Sequence, residues 1–354
     1  MNTIKLKEVF SKFSHNSKFV LSKELASGHI NDTYLIETNE SSYVLQRINH
    51  EVFKNVKGLI NNKVLVSKHL QNKLSHLPKE ALQRKVLAFV PVENEDYCYI
   101  DNDGNYWNMM VYIDNSVTFE TVNNKEVAYE GGKLIGDFLN LTSDFDASQL
   151  IDVIPKFHDV SFRFSQFEDA LKIASEDRME KASAYIGQVW SLKDEMHIIQ
   201  QLKESGKIKL RVTHNDTKIS NVLFDTNNKG ICVIDTDTVM PGVVHYDFGD
   251  AIRTICNTAA EDETDLEKVN FNLEYFNAYT KGFLEELAST LSPTELKYLP
   301  LGAKTMIFIM ALRFLTDFLN GDIYYKTKYP EHNLDRAKNQ LKLIESMAEK
   351  MEVV

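Results

Sequence analysis

Residues 214–221 read His-Asn-Asp-Thr-Lys-Ile-Ser-Asn, and the apolar run Val222-Leu223-Phe224 follows. After a turn at Asn227-Asn228-Lys229-Gly230 comes a second apolar run, Ile231 to Ile234, which ends in Asp235. The spacing H-x-D-x-K-x-x-N, with an acid closing the next strand, suits phosphoryl transfer to a hydroxyl. That reaction needs an acceptor for the hydroxyl proton, metal on the phosphates, and oxygen ligands for the metal from different chain segments. Asp216 can accept the proton. Asn221, five residues later, can return to the same cleft and offer an amide oxygen to Mg2+. Asp235 supplies a carboxylate from the end of the opposed strand, and Lys218 can reach the transferring phosphate.

The motifs around this segment read differently. His214 is a loop histidine packed under Asp216, where it holds the backbone. Asp247-Phe248-Gly249 spells D-F-G, but a metal-binding acid of that type ends a buried strand. Ile231 to Ile234 provides such a strand for Asp235, and His245-Tyr246 does not. Asp247 and Asp250 therefore read as acids bracing a loop near the site, with the share of each left open. Asp235-Thr-Asp-Thr-Val also fits the D-x-D-x-V start of a haloacid-dehalogenase-type phosphatase. That enzyme class needs a later Gly-Asp pair with an acid four residues on, and Gly249-Asp250 is followed there by Thr254. Asp101-Asn-Asp-Gly104 reads as a hairpin turn, since a calcium loop would need a bidentate Glu where Tyr112 stands.

Elements that position these residues follow from periodicity. Residues 5–15 read as a short helix, 19–25, 33–38 and 42–48 as strands, and 54–74 as a helix. Residues 85–91 and 96–113 are strand-rich. Past Asp114 the texture becomes helical, over 119–142, 165–204, 264–290, 293–319 and 331–351, with short strands at 209–213, 221–225 and 231–235. A β-rich part thus precedes a larger helical part, with the break near 110–116, and a cleft between two such parts is a natural ligand site. Trp107 and Trp190 read as core. Arg313 and Asp317 are spaced as an i,i+4 pair, either a surface salt bridge or, given their apolar surroundings, part of a polar site.

The composition narrows the function. The net charge of the 354 residues is -11, which gives no global basic field for nucleic acid or an anionic membrane. Three scattered cysteines, Cys98, Cys232 and Cys256, have no metal spacing and point to a reducing compartment, with the cytoplasm as the natural location. The first 20 residues lack the apolar run of a signal peptide. Met306 to Leu312 is shorter than the about 20 residues of a membrane span and reads as a buried helix.

The H-x-D-x-K-x-x-N segment resembles the catalytic loop of the protein-kinase-like superfamily, and more closely that of its aminoglycoside phosphotransferase and choline kinase branch. Within that branch, five stretches are similar to bacterial N-acetylhexosamine 1-kinases: His214 to Lys218, Ile234 to Gly242, Tyr246 to Arg253, Tyr43 to Asn49, and Met110 to Ser116. The resemblance spans most of the chain. It implies an α+β, protein-kinase-like fold with a nucleotide-binding lobe over residues 1–112. A helical lobe over 113–354 would carry the catalytic loop and the substrate site. It implies ATP and Mg2+ as cofactors, with transfer to the anomeric hydroxyl of N-acetylglucosamine or N-acetylgalactosamine.

Carried over residue by residue, Asp216 would be the base with Lys218 beside it. Asn221 and Asp235 would bind Mg2+, with Asp237 as a second acidic ligand. Arg47 stands where the superfamily puts a phosphate-binding Lys. The backbone at Met110, Tyr112 and Ile113 would hold adenine, and Ser27 and Gly28 would cover the phosphates. Arg313 and Tyr324 would meet the sugar together with Asp216. Two departures accompany this pattern. Arg47 replaces a Lys, which is not an equivalent exchange, and the segment Asn61-Asn62-Lys63 lacks the Glu that usually pairs with that cation. The alternatives are a kinase of another hydroxyl compound (an aminoglycoside, choline or homoserine) and a nucleotide-binding pseudokinase. The expected assembly is a monomer or a homodimer.

Overall fold

The computed structural model describes residues 2–25 and 30–352; Ser27 and Gly28 lie outside them. Helix α1 (Thr3–Phe10) precedes strands β1 (Phe19–Glu24), β2 (Asp32–Thr38) and β3 (Ser42–Ile48). Helices α2 (Val56–Lys73) and α3 (Lys79–Lys85) lead to β4 (Tyr99–Ile100) and β5 (Tyr106–Val111). The strands form one sheet in the order β1-β2-β3-β5-β4, and every pair is antiparallel.

Side-chain alternation divides the sheet into two faces. Tyr43 and Leu45, with Tyr34, Ile36, Trp107 and Met109, pack against Leu6, Val9 and Phe10 of α1. Val44 and Met110, on the other face, join Leu87, Ile113, Leu223, Cys232 and Ile234. Ile48 on that same face packs with Val56, Leu59, Ile60 and Val64 of α2.

The rest is mainly helical. Helices α4 (Lys125–Leu141), α5 (Val160–Ile173), α6 (Glu176–Met196) and α7 (Ile198–Glu204) come first. Two short antiparallel ribbons then carry the central motifs: β6 (Arg211–Thr213) pairs with β9 (Met240–Gly242), and β7 (Val222–Phe224) pairs with β8 (Gly230–Val233). Helices α8 (Val244–Ile255), α9 (Leu273–Leu287), α10 (Pro293–Lys297), α11 (Leu299–Leu319) and α12 (His332–Glu352) complete the chain. This is the α+β architecture expected from the sequence, with a sheet region followed by a helical one.

Several boundaries differ from the expectation. The helix expected over 165–204 is three helices, because Ala174 is extended and Ser175 caps a new start at α6. The helix expected from 264 begins only where the Asn272 side chain accepts the Tyr275 N–H. The one expected over 293–319 is divided at Tyr298, after a Ser292–Glu295 capping box. The strand expected at 85–91 reduces to a single bridge between Phe89 and Met110. Trp107 is core, but Trp190 is 37% exposed at the surface.

Helix α11 is long and apolar enough to cross a membrane, yet 72% of its most apolar window is buried within the protein. It packs on α5, α6, α8 and α12 as the central rod of the helical region. Helices α4 and α9 approach so closely that a Cβ on Gly132 would collide with the Tyr279 carbonyl, and one on Gly282 with the Tyr129 carbonyl. Backbone atoms cannot yield as side chains can. Replacing Gly132 with Val is expected to destabilise the fold by about 2 kcal/mol or more, read as a lower urea midpoint. An unchanged midpoint would show that the two helices can part freely.

Candidate active site

The loop after β6 is held from behind by α8. The Asp247 carboxylate, fully buried on the first turns of α8, accepts the N–H of His214 at 2.7 Å and of Asn215 at 2.7 Å. Asp250, one turn on, accepts the Thr217 N–H at 3.0 Å and pairs with Arg253 at 3.1 Å. Both acids brace the loop, and each holds a different stretch of it. Burial pushes the Asp247 carboxyl up to about 6, against the pull of the His214 imidazole and the two N–H bonds. His214 has the supporting role expected of it. Its Nε2 lies 2.8 Å from the Ile234 carbonyl, and its Nδ1 accepts the Asp216 N–H at 3.3 Å. Asn215 takes the left-handed conformation, φ 64°. Its amide pins that turn by donating to Thr213 and to the Thr238 carbonyl.

This frame brings four of the expected residues together. Asn221 donates its amide nitrogen to the Asp216 carbonyl at 2.8 Å and to Asp216 Oδ2 at 3.0 Å. With the nitrogen so engaged, the amide oxygen is left available. Lys218 Nζ lies 3.2 Å from Asp216 Oδ2. Burial opposes the Lys218 charge, but the carboxylates of Asp216, Asp235 and Asp250 outweigh it and raise the pKa. Asp235 follows the end of β8 in the left-handed conformation, φ 57°. The residue is exposed to solvent, although protein atoms crowd its carboxyl and thin its hydration. That desolvation, then the nearby Asp237 and Asp216 carboxylates, push its pKa up to about 7. Two non-glycine residues with positive φ at the site mark backbone that the surroundings must hold in place.

Asp237 is placed differently from the metal ligand expected of it. Its Oδ1 pairs with Lys63 of α2, and its Oδ2 accepts from Asn31 and, at 3.3 Å, from Gln46 of β3. Both oxygens are therefore engaged by donors from the sheet region. Lys63, 3% exposed, also donates to Gln46 Oε1 at 3.0 Å.

Arg47 likewise departs from expectation. It shares a sheet face with Leu45 and Trp107, pairs with Asp32, and lies on the opposite face from Gln46. The parity of β3 turns Arg47 away from this cluster, and Lys63 brings the buried cation from the following helix. Asn62 next to it locks α2 in position, donating to the Ile151 and Val239 carbonyls at 2.8 and 2.9 Å.

Of the residues expected to hold adenine, Met110 is buried between the sheet and β7–β8. The Tyr112 N–H is taken by the Ser42 carbonyl at 2.9 Å, whereas the Tyr112 carbonyl and the Ile113 N–H make no hydrogen bond among the described residues.

An Arg313–Asp317 salt bridge, one of the two readings of that spacing, does not form. Asp317 accepts the N–H groups of Tyr324 and Tyr325 at 2.8 and 2.9 Å and an Asn333 amide at 2.9 Å. Arg313 instead lies over the rings of Phe157, Tyr324 and Tyr325 at 5.7, 5.8 and 5.5 Å.

A family model described as the phosphotransferase enzyme family (APH) matches residues 22–287, three quarters of the chain, including Asp216, Lys218, Asn221 and Asp235 but not Arg313 or Tyr324. The chain belongs to that family. Among solved structures, this phosphotransferase is similar to a microcompartment-associated aminopropanol kinase, at 13% identity and TM-score 0.63, with 99% of this chain and 98% of the other covered. Spectinomycin phosphotransferase APH(9)-Ia, in complex with ADP and spectinomycin, matches at 13% identity and TM-score 0.54 over 100% and 99% of the two chains. The streptomycin–ATP–APH(2″)-IIa ternary complex matches at 16% identity and TM-score 0.54 over 98% of each. At such identities the likeness is one of fold.

Lys63, Gln46 and Asn31 escaped the sequence reading. The available signal was a lysine among the apolar positions of α2. Breaking its pair leaves a buried charge unmatched. Lys63→Met is expected to cost about 3–5 kcal/mol of stability, and adding Asp237→Asn to restore most of it, both read by denaturant unfolding. A harmless single substitution would remove the pair from the framework.

Proposed function

We propose that this phosphotransferase moves the γ-phosphate of ATP to the anomeric hydroxyl of an N-acetylhexosamine, N-acetylglucosamine or N-acetylgalactosamine. The observation that carries the reading is the convergence of Asp216, Lys218, Asn221 and Asp235 where the sheet meets β7 and β8. In this reading residues 1–112 form the nucleotide lobe and residues 113–354 the catalytic lobe. Adenine lies against Met110, with the Tyr112 carbonyl and the Ile113 N–H at its edge.

The acceptor hydroxyl gives its proton to the Asp216 carboxylate as its oxygen bonds the γ-phosphorus. The bond from that phosphorus to the β-phosphate oxygen breaks, and ADP leaves. Lys218 offsets charge on the phosphoryl oxygens. The Asn221 amide oxygen and the Asp235 carboxylate fit the hard-oxygen preference of Mg2+. Neither accepts a hydrogen bond among the described residues. Bound there, the ion would neutralise phosphate charge. Asp237, engaged by Lys63, Asn31 and Gln46, serves as the anchor of the sheet region instead of a second ligand. Arg313 and Tyr324 face the acceptor. The sugar assignment rests on the sequence resemblance of the stretches named above.

The direct test is ADP release with Mg-ATP across sugars, amino alcohols and aminoglycosides. Turnover confined to N-acetylhexosamines, with a 1-phosphate product, is expected. Turnover confined to another hydroxyl compound would retain the chemistry and overturn the sugar assignment, and no turnover with any acceptor would mark a nucleotide-binding pseudokinase. Asp216→Asn is expected to lower kcat by about 10²–10⁴-fold; full activity in that variant would remove Asp216 from the proton transfer.

A proton on Asp235 competes with a metal ion. Divalent-ion affinity, followed by thermal shift with Mn2+, is therefore expected to rise by up to about tenfold per pH unit below 7 and to level off above about 8. Asp235→Asn should flatten that profile, and equal wild-type affinity at both ends of the range would remove Asp235 from the metal site.

A further inference from the structure

Two arginines meet at Phe157, next to His158, which reaches the loop carrying Asp216 at the Asn215 carbonyl. Arg163, on α5, donates to the Phe157 carbonyl at 2.7 Å and to Gln166 at 2.8 Å, and its buried Nε has no partner. Arg313, on α11, has one weak polar contact, to Met310 Sδ at 3.5 Å, and lies over the Phe157, Tyr324 and Tyr325 rings. Neither forms a salt bridge with a carboxylate among the described residues, although the acids for it are close by. Asp317, one turn from Arg313, is taken by the Tyr324 and Tyr325 N–H groups and by Asn333. Asp159, near Arg163, caps α5 by accepting the Phe162 N–H at 2.8 Å.

The two guanidiniums oppose each other. Burial and then the Arg313 charge bring Arg163 down to about 10. The buried His158 imidazole is held neutral, at about 3, by burial and then by Arg313. His158 ties this pocket to the catalytic loop, with Nε2 3.4 Å from the Asn215 carbonyl. Its Nδ1 is buried without a partner. Partly desolvated like charges facing one another are costly unless an anion joins them, and planar guanidiniums are suited to carboxylate or phosphate oxygens.

We propose that Arg163 and Arg313 form an anion subsite beside Asp216, and that the preferred acceptor is a hexosamine bearing its own acidic substituent, a carboxylate or a phosphate. The proposal rests on the kinase reading for its placement next to the reacting hydroxyl. His158 and the rings of Phe157, Tyr324 and Tyr325 line the rest of the pocket. An acidic group held there would be neutralised by both arginines, while the hydroxyl of the same molecule meets Asp216.

The test compares N-acetylglucosamine with its C6-carboxylate and C3-carboxyalkyl ether derivatives, in the wild type and in Arg163→Gln, Arg313→Gln, Arg163→Lys and Arg313→Lys. The wild type is expected to favour at least one acidic acceptor in kcat/KM by about 10- to 100-fold, mainly through KM. In the Gln variants that ratio should fall toward one, and the Lys variants should keep part of it. Arg313 holds no backbone group and has only one weak polar contact, so its variants test the idea even where an Arg163 variant fails to fold.

A wild type that prefers the neutral sugar overturns the proposal. So does a loss of kcat in the Gln variants that is equal for neutral and acidic acceptors, since the arginines would then act on the transferred phosphoryl group. Calorimetric titration of the acidic sugars without ATP separates this idea from the kinase reading. Binding that is lost in Arg313→Gln supports the subsite even if no acceptor turns over, and absence of binding to the wild type overturns it.

Discussion

The Asp247 carboxylate is the interaction on which the site depends. It is buried completely, it stands on the first turns of α8, and it holds two successive N–H groups of the loop that carries Asp216. An unpaired N–H in such a place would be expensive, so the loop and the helix are placed together or not at all. Helix α8 in turn lies against α11, with Gly249 so close to the Gly302 carbonyl that a side chain would not fit. The conformation of the loop that carries Asp216 is thereby tied to the long, largely buried helix α11. Asp250 extends the tie: it holds Thr217 and, through Arg253 and Glu261, connects to Arg336 of α12.

The sheet region is attached to this frame by a buried ion pair as well as by apolar packing. Asp237, two residues beyond Asp235, gathers Asn31, Gln46 and Lys63. A carboxylate and an ammonium buried together are tolerable as a matched pair and costly apart. This gives the position of α2 a specific electrostatic lock, supplemented by the bonds of Asn62 to two backbone carbonyls. It also separates the two acids of the Asp-Thr-Asp run: Asp237 is matched by Lys63, while Asp235 has no hydrogen-bond donor among the described residues and is pushed toward its neutral form by thinned hydration and then by the Asp237 and Asp216 carboxylates. Two acids of one type, two residues apart, thus have different electrostatic surroundings.

A related choice of partner is made around Arg313. Asp317 could have neutralised Arg313 one turn away, but it braces the backbone of Tyr324 and Tyr325 instead. The loop is held, the two tyrosine rings are brought to Arg313, and the arginine keeps its charge unmatched. In place of a helix-surface salt bridge there is a cation lying over aromatic rings.

The sequence by itself determined what is local. The segment from His214 to Asn221, the two short strands after it and Asp235 were legible because eight residues and two hairpin arms set their own spacing, and the roles of His214, Asp247 and Asp250 as supports followed from where buried strands could lie. The break between a sheet region and a helical region was legible in periodicity. Helix α3 was not, because it buries no residue and so carries no apolar stripe, and neither was β9, a Met-Pro-Gly strand that exists through its pairing with β6. The tertiary structure alone decided which cation joins the site. Arg47 and Gln46 are adjacent in sequence, but strand parity sends them to opposite faces. Lys63 and Asp237 lie far apart in sequence and meet only once α2 is packed. A charge finds its partner by three-dimensional proximity in a poorly solvated place, and no pattern along the chain encodes that distance.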